Sequence, residues 1–384
     1  MIGTNTTTLP RKQSILPRLP ERMSISQTSV SDLSLEDRSA WRTIQEGNSE
    51  LHSPFFCIEY IEEVARLCPN VRVAILRKGG KPVAFWPIDK IRPGVARPVG
   101  GKIGCMQGVI CGANTRWNGD ALARVAGLKT WHFDHLLASQ KIFNSSYFRT
   151  LDSPYLDLSE GFDAYREKRL QQGHSNQAIA EAQRKRRKMG REVGPIRFEA
   201  DCQDVDILHQ LIEWKRVQML KTGKRNLFVH SPWIIPFLEN SLNRRGDSFR
   251  GMMSVLYVAD KPVSIHFGLR SKGNLHGLFF GYDQGVAEYS PGMVLIVSLA
   301  QNASNLGLTR IDLGKGDEPY KQRLKSDSTS VAIGAFDTQA VHALLRPLAY
   351  RLRTKVGRSA IGRPARLANG RLQRIRDQFR KQKG

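Results

Sequence analysis

Long apolar runs are missing from this 384-residue chain, and the longest, 293–300, is interrupted by Ser298. That falls well short of the ~20 residues a membrane-spanning helix needs. The N-terminus carries no apolar stretch of the kind found in secretory signals, so a cytoplasmic location is expected. Cysteine is scarce and scattered. Cys57, Cys68, Cys105, Cys111 and Cys202 form no C-x-x-C pair, which argues against a disulfide framework and a structural zinc site. G-x-x-x-x-G-K-[ST], G-x-G-x-x-G, H-E-x-x-H and G-x-S-x-G are all absent, which removes the common NTPase, dinucleotide, zincin and hydrolase readings. His132 and His135, with Asp134 between them, have no third ligand at a workable spacing, so no metal is expected.

Acidic residues are also short. Asp and Glu total 35 against 59 Lys and Arg, a formal charge of +24, in a chain that is otherwise ordinary at 40% hydrophobic and 24% charged. The excess is local. Residues 1–30 carry +3, residues 163–197 carry +6 and residues 340–384 carry +12, while 31–162 and 198–339 together contribute +3. Two nearly neutral blocks are therefore flanked and separated by basic segments, whose natural counterparts are anionic. The expected organisation is a disordered leader at 1–34, a first unit at 35–162, a basic linker helix at 163–197, a second unit at 198–339 and a basic tail at 340–384.

The two blocks share an order of elements. A helix at 35–45 carries Trp41, and His52-Ser53-Pro54 precedes an amphipathic run at 55–67. Strands at 71–77 and 82–88 then flank the turn Lys78-Gly79-Gly80-Lys81. A helix at 208–220 carries Trp214, His230-Ser231-Pro232 precedes the run 233–242, and strands at 253–258 and 262–269 follow. The His-Ser-Pro triplets lie 178 residues apart and the Lys-Pro-Val triplets 180 apart, which marks an internal repeat. The second block continues with a strand at 274–281, a helix at 291–304 and a strand at 308–313. The fold class expected is α/β (α+β), as two tandem units, each a mixed twisted sheet flanked by helices.

Two junctions carry the chemistry. In Tyr289-Ser290-Pro291-Gly292-Met293, Ser290 suits an N-cap, Pro291 the first helical position, and Gly292 leaves the backbone uncovered. A helix start of this kind suits a phosphate group, although a plain capped helix fits the same residues. In Asp312-Leu313-Gly314-Lys315-Gly316-Asp317-Glu318-Pro319-Tyr320-Lys321, Gly314 and Gly316 permit a sharp turn after a strand and present Tyr320 and Lys321 where the sheet opens. A charged surface turn is the plainer alternative. His266 and His276 fall on adjacent strands, where buried structural histidines are commoner than catalytic ones.

Residues 175–330 resemble the GNAT acyltransferase superfamily. Within it they are most similar to the CelD/BcsL-like branch associated with bacterial cellulose and exopolysaccharide biosynthesis, which is related to the FemAB peptidyltransferases. The likeness rests on the basic helix with Arg184, Lys185, Arg186, Arg187 and Lys188, on Gly281-Tyr282-Asp283 with Tyr289-Ser290-Pro291-Gly292, on Asp312 of the closing strand, and on the segment 314–321. Leu324 stands where the family usually has an aromatic, and Ser290-Pro291-Gly292 replaces the usual Q/R-x-x-G-x-G/A pyrophosphate signature.

The resemblance implies acetyl-CoA or another acyl-CoA as donor. It places Ser290, Gly292, Met293, Val294, Arg184, Arg187, Gly314 and Gly316 around that donor. It implies Tyr320 as the acid that protonates the departing thiolate, Lys321 as a stabiliser of negative charge, and His266, Asp283 or Glu288 as general base, with His266 preferred. The acceptor implied is a sugar, an amino sugar or a lipid-linked precursor of a surface polysaccharide. The alternatives are FemAB-like transfer from aminoacyl-tRNA and a non-catalytic relative recruited to a membrane surface. The basic tail suits the anionic inner membrane face, and nucleic acid is the weaker partner because no aromatics interleave the basic runs.

Overall fold

Period-two apolar patterning and tight turns organise most of the chain into one very wide sheet. The computed structural model describes residues 23–350 except 114, 116, 340, 341, 344 and 348. The first unit comprises β1 (Met23–Ser29), α1 (Leu35–Glu46), α2 (Ile58–Leu67), β2 (Val71–Lys78), β3 (Lys81–Arg92), β4 (Val95–Arg97), β5 (Ile110–Cys111), α3 (Gly119–Val125), β6 (Thr130–Leu137) and β7 (Tyr147–Asp157). Two linking helices follow, α4 (Phe162–Gln171) and α5 (Gln177–Glu192). The second unit holds β8 (Ile196–Cys202), α6 (Val205–Lys221), α7 (Leu227–His230), α8 (Ile234–Asn243), β9 (Arg250–Val258), β10 (Lys261–Ser271), β11 (Asn274–Tyr282), α9 (Pro291–Gln301), β12 (Arg310–Asp312), α10 (Pro319–Leu324) and β13 (Asp327–Asp337).

The strand order is β1-β2-β3-β4-β6-β13-β7-β12-β11-β10-β9-β8, with β5 paired to β3 off this path. Each unit builds an antiparallel run closed by one parallel step, β4 beside β6 and β11 beside β12. The internal repeat is thus visible in the topology. The closing strands then cross over. β13 of the second unit pairs with β6 of the first, and β7 of the first pairs with β12 of the second. β7 and β13 also pair with each other, from Asp327 opposite Tyr155 to Gly334 opposite Tyr147. The mixed α/β architecture with two units is as expected, but the sheet does not divide at residue 162, because β7 already lies in the second unit's half.

The largest apolar core also ignores that boundary. Phe55, Tyr60 and Phe85 of the first unit share one cluster with Phe237, Phe249 and Phe267 of the second. The Tyr60 and Phe237 rings meet edge to face at 5.8 Å. All five cysteines are free thiols. Among the described residues, no helix is long and apolar enough to cross a membrane.

One expectation needs correction. The leader was to run to residue 34, yet β1 pairs antiparallel with β2 over all seven of its residues. Its Ser, Thr and Gln side chains bury little, so the strand is held by ladder hydrogen bonds that composition does not reveal. Leader residues 1–22 and tail residues 351–384 lie outside the described residues. Within the expected tail, Arg346 sits 2.8 Å from Asp337 at the end of β13.

Candidate active site

β11 and β12 pair only over three residues, Asn274–His276 against Arg310–Asp312. Beyond that point β11 runs on to Tyr282, while the other chain turns away at Gly314, whose φ of 75° suits glycine. The strands part, and α6, α9 and α10 close over the gap. Two adjoining cavities occupy it, of about 480 and 230 Å³. Lys215, Phe280, Ile296, Glu318 and Tyr320 line both. Such an opening at the carboxyl ends of strands is where open α/β sheets bind ligands.

Tyr320 is the residue placed best for chemistry. It begins α10 just after Pro319, and its hydroxyl has no hydrogen-bond partner among the described residues. Burial, with Glu318 adding to it, pushes its pKa up to about 12, so the phenol holds its proton at neutral pH.

Lys321, expected to stabilise charge on substrate, does something else. Its ammonium donates to the carbonyls of Gly314 and Lys315 at 3.2 and 3.0 Å and pairs with Glu318 at 3.0 Å. Its three protons are committed, and it fastens the 314–318 loop beneath Tyr320. Gly316 suits that loop as well, because its φ of 139° is one that side-chain-bearing residues rarely adopt. Lys315 reaches back to the first unit and donates to the carbonyl of Asp134 at 2.5 Å.

The helix start at α9 differs from expectation in three ways. Ser290 is left-handed at φ 50° and its side chain caps nothing; its hydroxyl instead accepts from Lys185 Nζ at 2.7 Å. Gly292 is glycine because the Phe280 ring lies where a side chain would go. The amides of Met293 and Val294, expected to bind phosphate, both donate to the Ser290 carbonyl, at 2.9 and 3.2 Å. That leaves the Gly292 N–H as the amide of this turn without a partner among the described residues. Ser290, Gly292 and Met293 line the wider cavity, and Val294 is buried in the core behind it.

The general-base candidates separate. His266 lines the narrower cavity beside Tyr320 and Lys321, with Nδ1 unpaired. Burial, aided by His276, lowers its pKa to about 4, which keeps it neutral. Asp283 is a structural cap, accepting from the Gly285 amide at 2.8 Å. Glu288 faces outward, 66% exposed, and lies 3.9 Å from Lys188. Neither carboxylate lines the cavities, so both leave the list.

The basic helix α5 is sorted by its own periodicity. Lys185 and Lys188 meet the 284–290 segment, Lys188 lying 5.4 Å from the Tyr289 ring centre. Arg184 and Arg187 are exposed and line neither cavity, contrary to expectation. The cations that do face the wider cavity are Lys215 and Lys224, which the sequence reading passed over. A signal existed for one of them. Leu208, Leu211 and Ile212 form the buried stripe of α6, and Lys215 is the next residue of that stripe, where an apolar side chain is the norm. Phe280 carried no such signal, since its pairing with Gly292 is purely tertiary.

This topology, a mixed sheet splayed beside a buried helix start and built twice, is the GNAT acyltransferase fold. Residues 177–322 match the family model described as "Acetyltransferase (GNAT) domain". The match runs from the first residue of α5 to the residue after Lys321, and it gives the second unit an acyltransferase domain. No curated protein is significantly similar in sequence. Among solved structures, the chain is similar to FemX at 9% identity and a TM-score of 0.54, covering 82% of this chain and 98% of that one. It is also similar to a tandem GNAT protein from the clavulanic acid biosynthesis pathway (10% identity, TM-score 0.49, 83% and 99% covered). A third is L-PGS from Bacillus licheniformis (12% identity, TM-score 0.45, 82% and 96% covered). At these identities the FemX likeness speaks for the fold alone.

Proposed function

We propose that the protein is an acyl-CoA-dependent N- or O-acyltransferase, with acetyl the group expected first. It modifies a sugar, an amino sugar or a lipid-linked precursor of a surface polysaccharide by direct attack of the acceptor on the thioester. The observation that carries this reading is Tyr320, a protonated phenol without a hydrogen-bond partner among the described residues, on the lining of both cavities. The acetyltransferase domain match supports the transfer chemistry, and the sequence likeness to the polysaccharide-associated branch supports the acceptor class.

The residues present suit such a donor. Gly292 N–H and Lys224 offer donors to its phosphates from the wider cavity. Tyr320 gives its proton to the departing sulfur, a role worth about 10²-fold or more in rate. Neutral His266, with its pKa near 4, takes a proton only from a group made acidic by attack on the carbonyl. Lys321 keeps the loop under Tyr320 in place. The cytoplasm, with the basic tail against the inner membrane face, is the proposed location; each exposed cation near such a surface contributes about 1 kcal/mol.

A thermal-shift series with acetyl-CoA, longer acyl-CoAs and free CoA tests this reading. A donor at a hundredfold excess over its dissociation constant stabilises the fold by about 3 kcal/mol. No shift with any of them at millimolar concentration sinks the proposal. One observation favours a second reading: the guanidinium groups of Arg184, Arg186 and Arg187 are turned to solvent, as transfer from aminoacyl-tRNA would use them. Binding of tRNA that weakens steeply with salt would favour that reading.

A further inference from the structure

We infer that Lys215 is a self-acylation site: the donor bound in the splayed cleft acylates this chain's own amine. The inference rests on the proposed use of acyl-CoA and concerns a residue that neither the motifs nor the family match singles out.

Lys215 holds an unusual position. It lines both cavities, as Tyr320 does. It sits at the apolar-stripe position of α6, half-buried, with its neighbour Trp214 packed over Gly281 of β11. Among the described residues no carboxylate comes within ion-pair distance of its ammonium, which donates to the Gln218 amide oxygen at 2.6 Å. Buried lysines are ordinarily paired. Glu318 lines both cavities with it without forming an ion pair, and burial, with Lys224 of the wider cavity adding to it, lowers the Lys215 pKa. These features favour the free amine, the form that attacks a thioester.

The step balances without a further reactant. The Nζ lone pair attacks the thioester carbonyl, a C–N bond forms and the C–S bond breaks. Tyr320 protonates the leaving thiolate. The attacking nitrogen loses one proton to solvent, from which Tyr320 is reprotonated. The products are free CoA and an amide. Because an amide does not return its acyl group, the modification is lasting. It removes a cation and adds bulk at the wall shared by both cavities, so it limits donor binding in the molecule that carries it.

The test is the full-length protein incubated with acetyl-CoA, followed by intact and peptide mass spectrometry, with thermal shift read in parallel. Acetylation at Lys215 should approach one group per chain before Lys221 or Lys224 is modified. Lys215→Arg should abolish that increment, and Tyr320→Phe should slow it by about 100-fold while leaving background acetylation of other lysines unchanged. Stabilisation by acetyl-CoA without a mass increment at Lys215 overturns this inference and leaves the proposed function standing. No stabilisation overturns both. Equal modification of Lys215, Lys221 and Lys224, insensitive to Tyr320→Phe, also overturns it, because that pattern is solution chemistry.

Discussion

His266 and His276 lie on neighbouring strands, are almost wholly enclosed, and together leave three ring nitrogens without hydrogen-bond partners among the described residues. Burial lowers both pKa values to about 4, with His276 adding to the effect on His266. For His276 the nearby Asp312 opposes the shift and does not overcome it. The sign follows from linkage. An unfolded histidine titrates near 6.5 and these do not until about 4, so the unfolded chain binds more protons between those values. Stability is fully present above pH 6.5 and drains away as the pH falls toward 4, by up to about 3 kcal/mol per histidine. Urea unfolding across that window should show it, and His266→Gln should flatten the slope. An unchanged slope in that variant would mean that the imidazole is already protonated in the fold. Tyr320 was legible in the sequence because a strand, two glycines and a proline announce the turn that presents it. The Ser290 cap fails because Lys185, which holds its hydroxyl, is distant in sequence, and Phe280, which explains Gly292, is equally hidden there.

Turns separate the two copies of the repeat more clearly than strands do. Both hairpins, β2–β3 and β9–β10, were legible from polar turn residues between apolar runs. In the first, Gly79 and Gly80 take positive φ at no steric cost. In the second, Ala259 and Asp260 take φ of 46° and 63°. A side chain in that region costs about 1–2 kcal/mol, less for Asp, whose short polar group bonds locally. Ala259→Gly should therefore stabilise the protein by about 0.5–1 kcal/mol after the added freedom of the unfolded chain is allowed for. A raised denaturation midpoint with an unchanged slope would confirm it; a lowered one would show that the Ala259 methyl packs usefully. The edge strand β1 escaped the sequence reading for the opposite reason. Prolines precede it and few apolar side chains mark it, so its stability comes from the ladder that β2 offers.

Charge composition suggests two units but carries no sign that they are tied together. The reciprocal crossing of β7 and β13 makes each half the other's closing strand, and the Phe55–Tyr60–Phe237 core joins them again from one face. Residues 163–350 expressed alone would lack β7, leaving edges of β12 and β13 exposed. That fragment should aggregate and show no cooperative unfolding transition, although it contains every residue of the cleft. A soluble fragment with a sharp transition would contradict this. The crossing also imposes a schedule during synthesis. β7 leaves the ribosome long before β12, its partner, has been made, and β6 waits for β13, the last strand described. The sheet cannot close until the chain is made to Asp337, so a nascent chain that stalls early presents open strand edges and no working half.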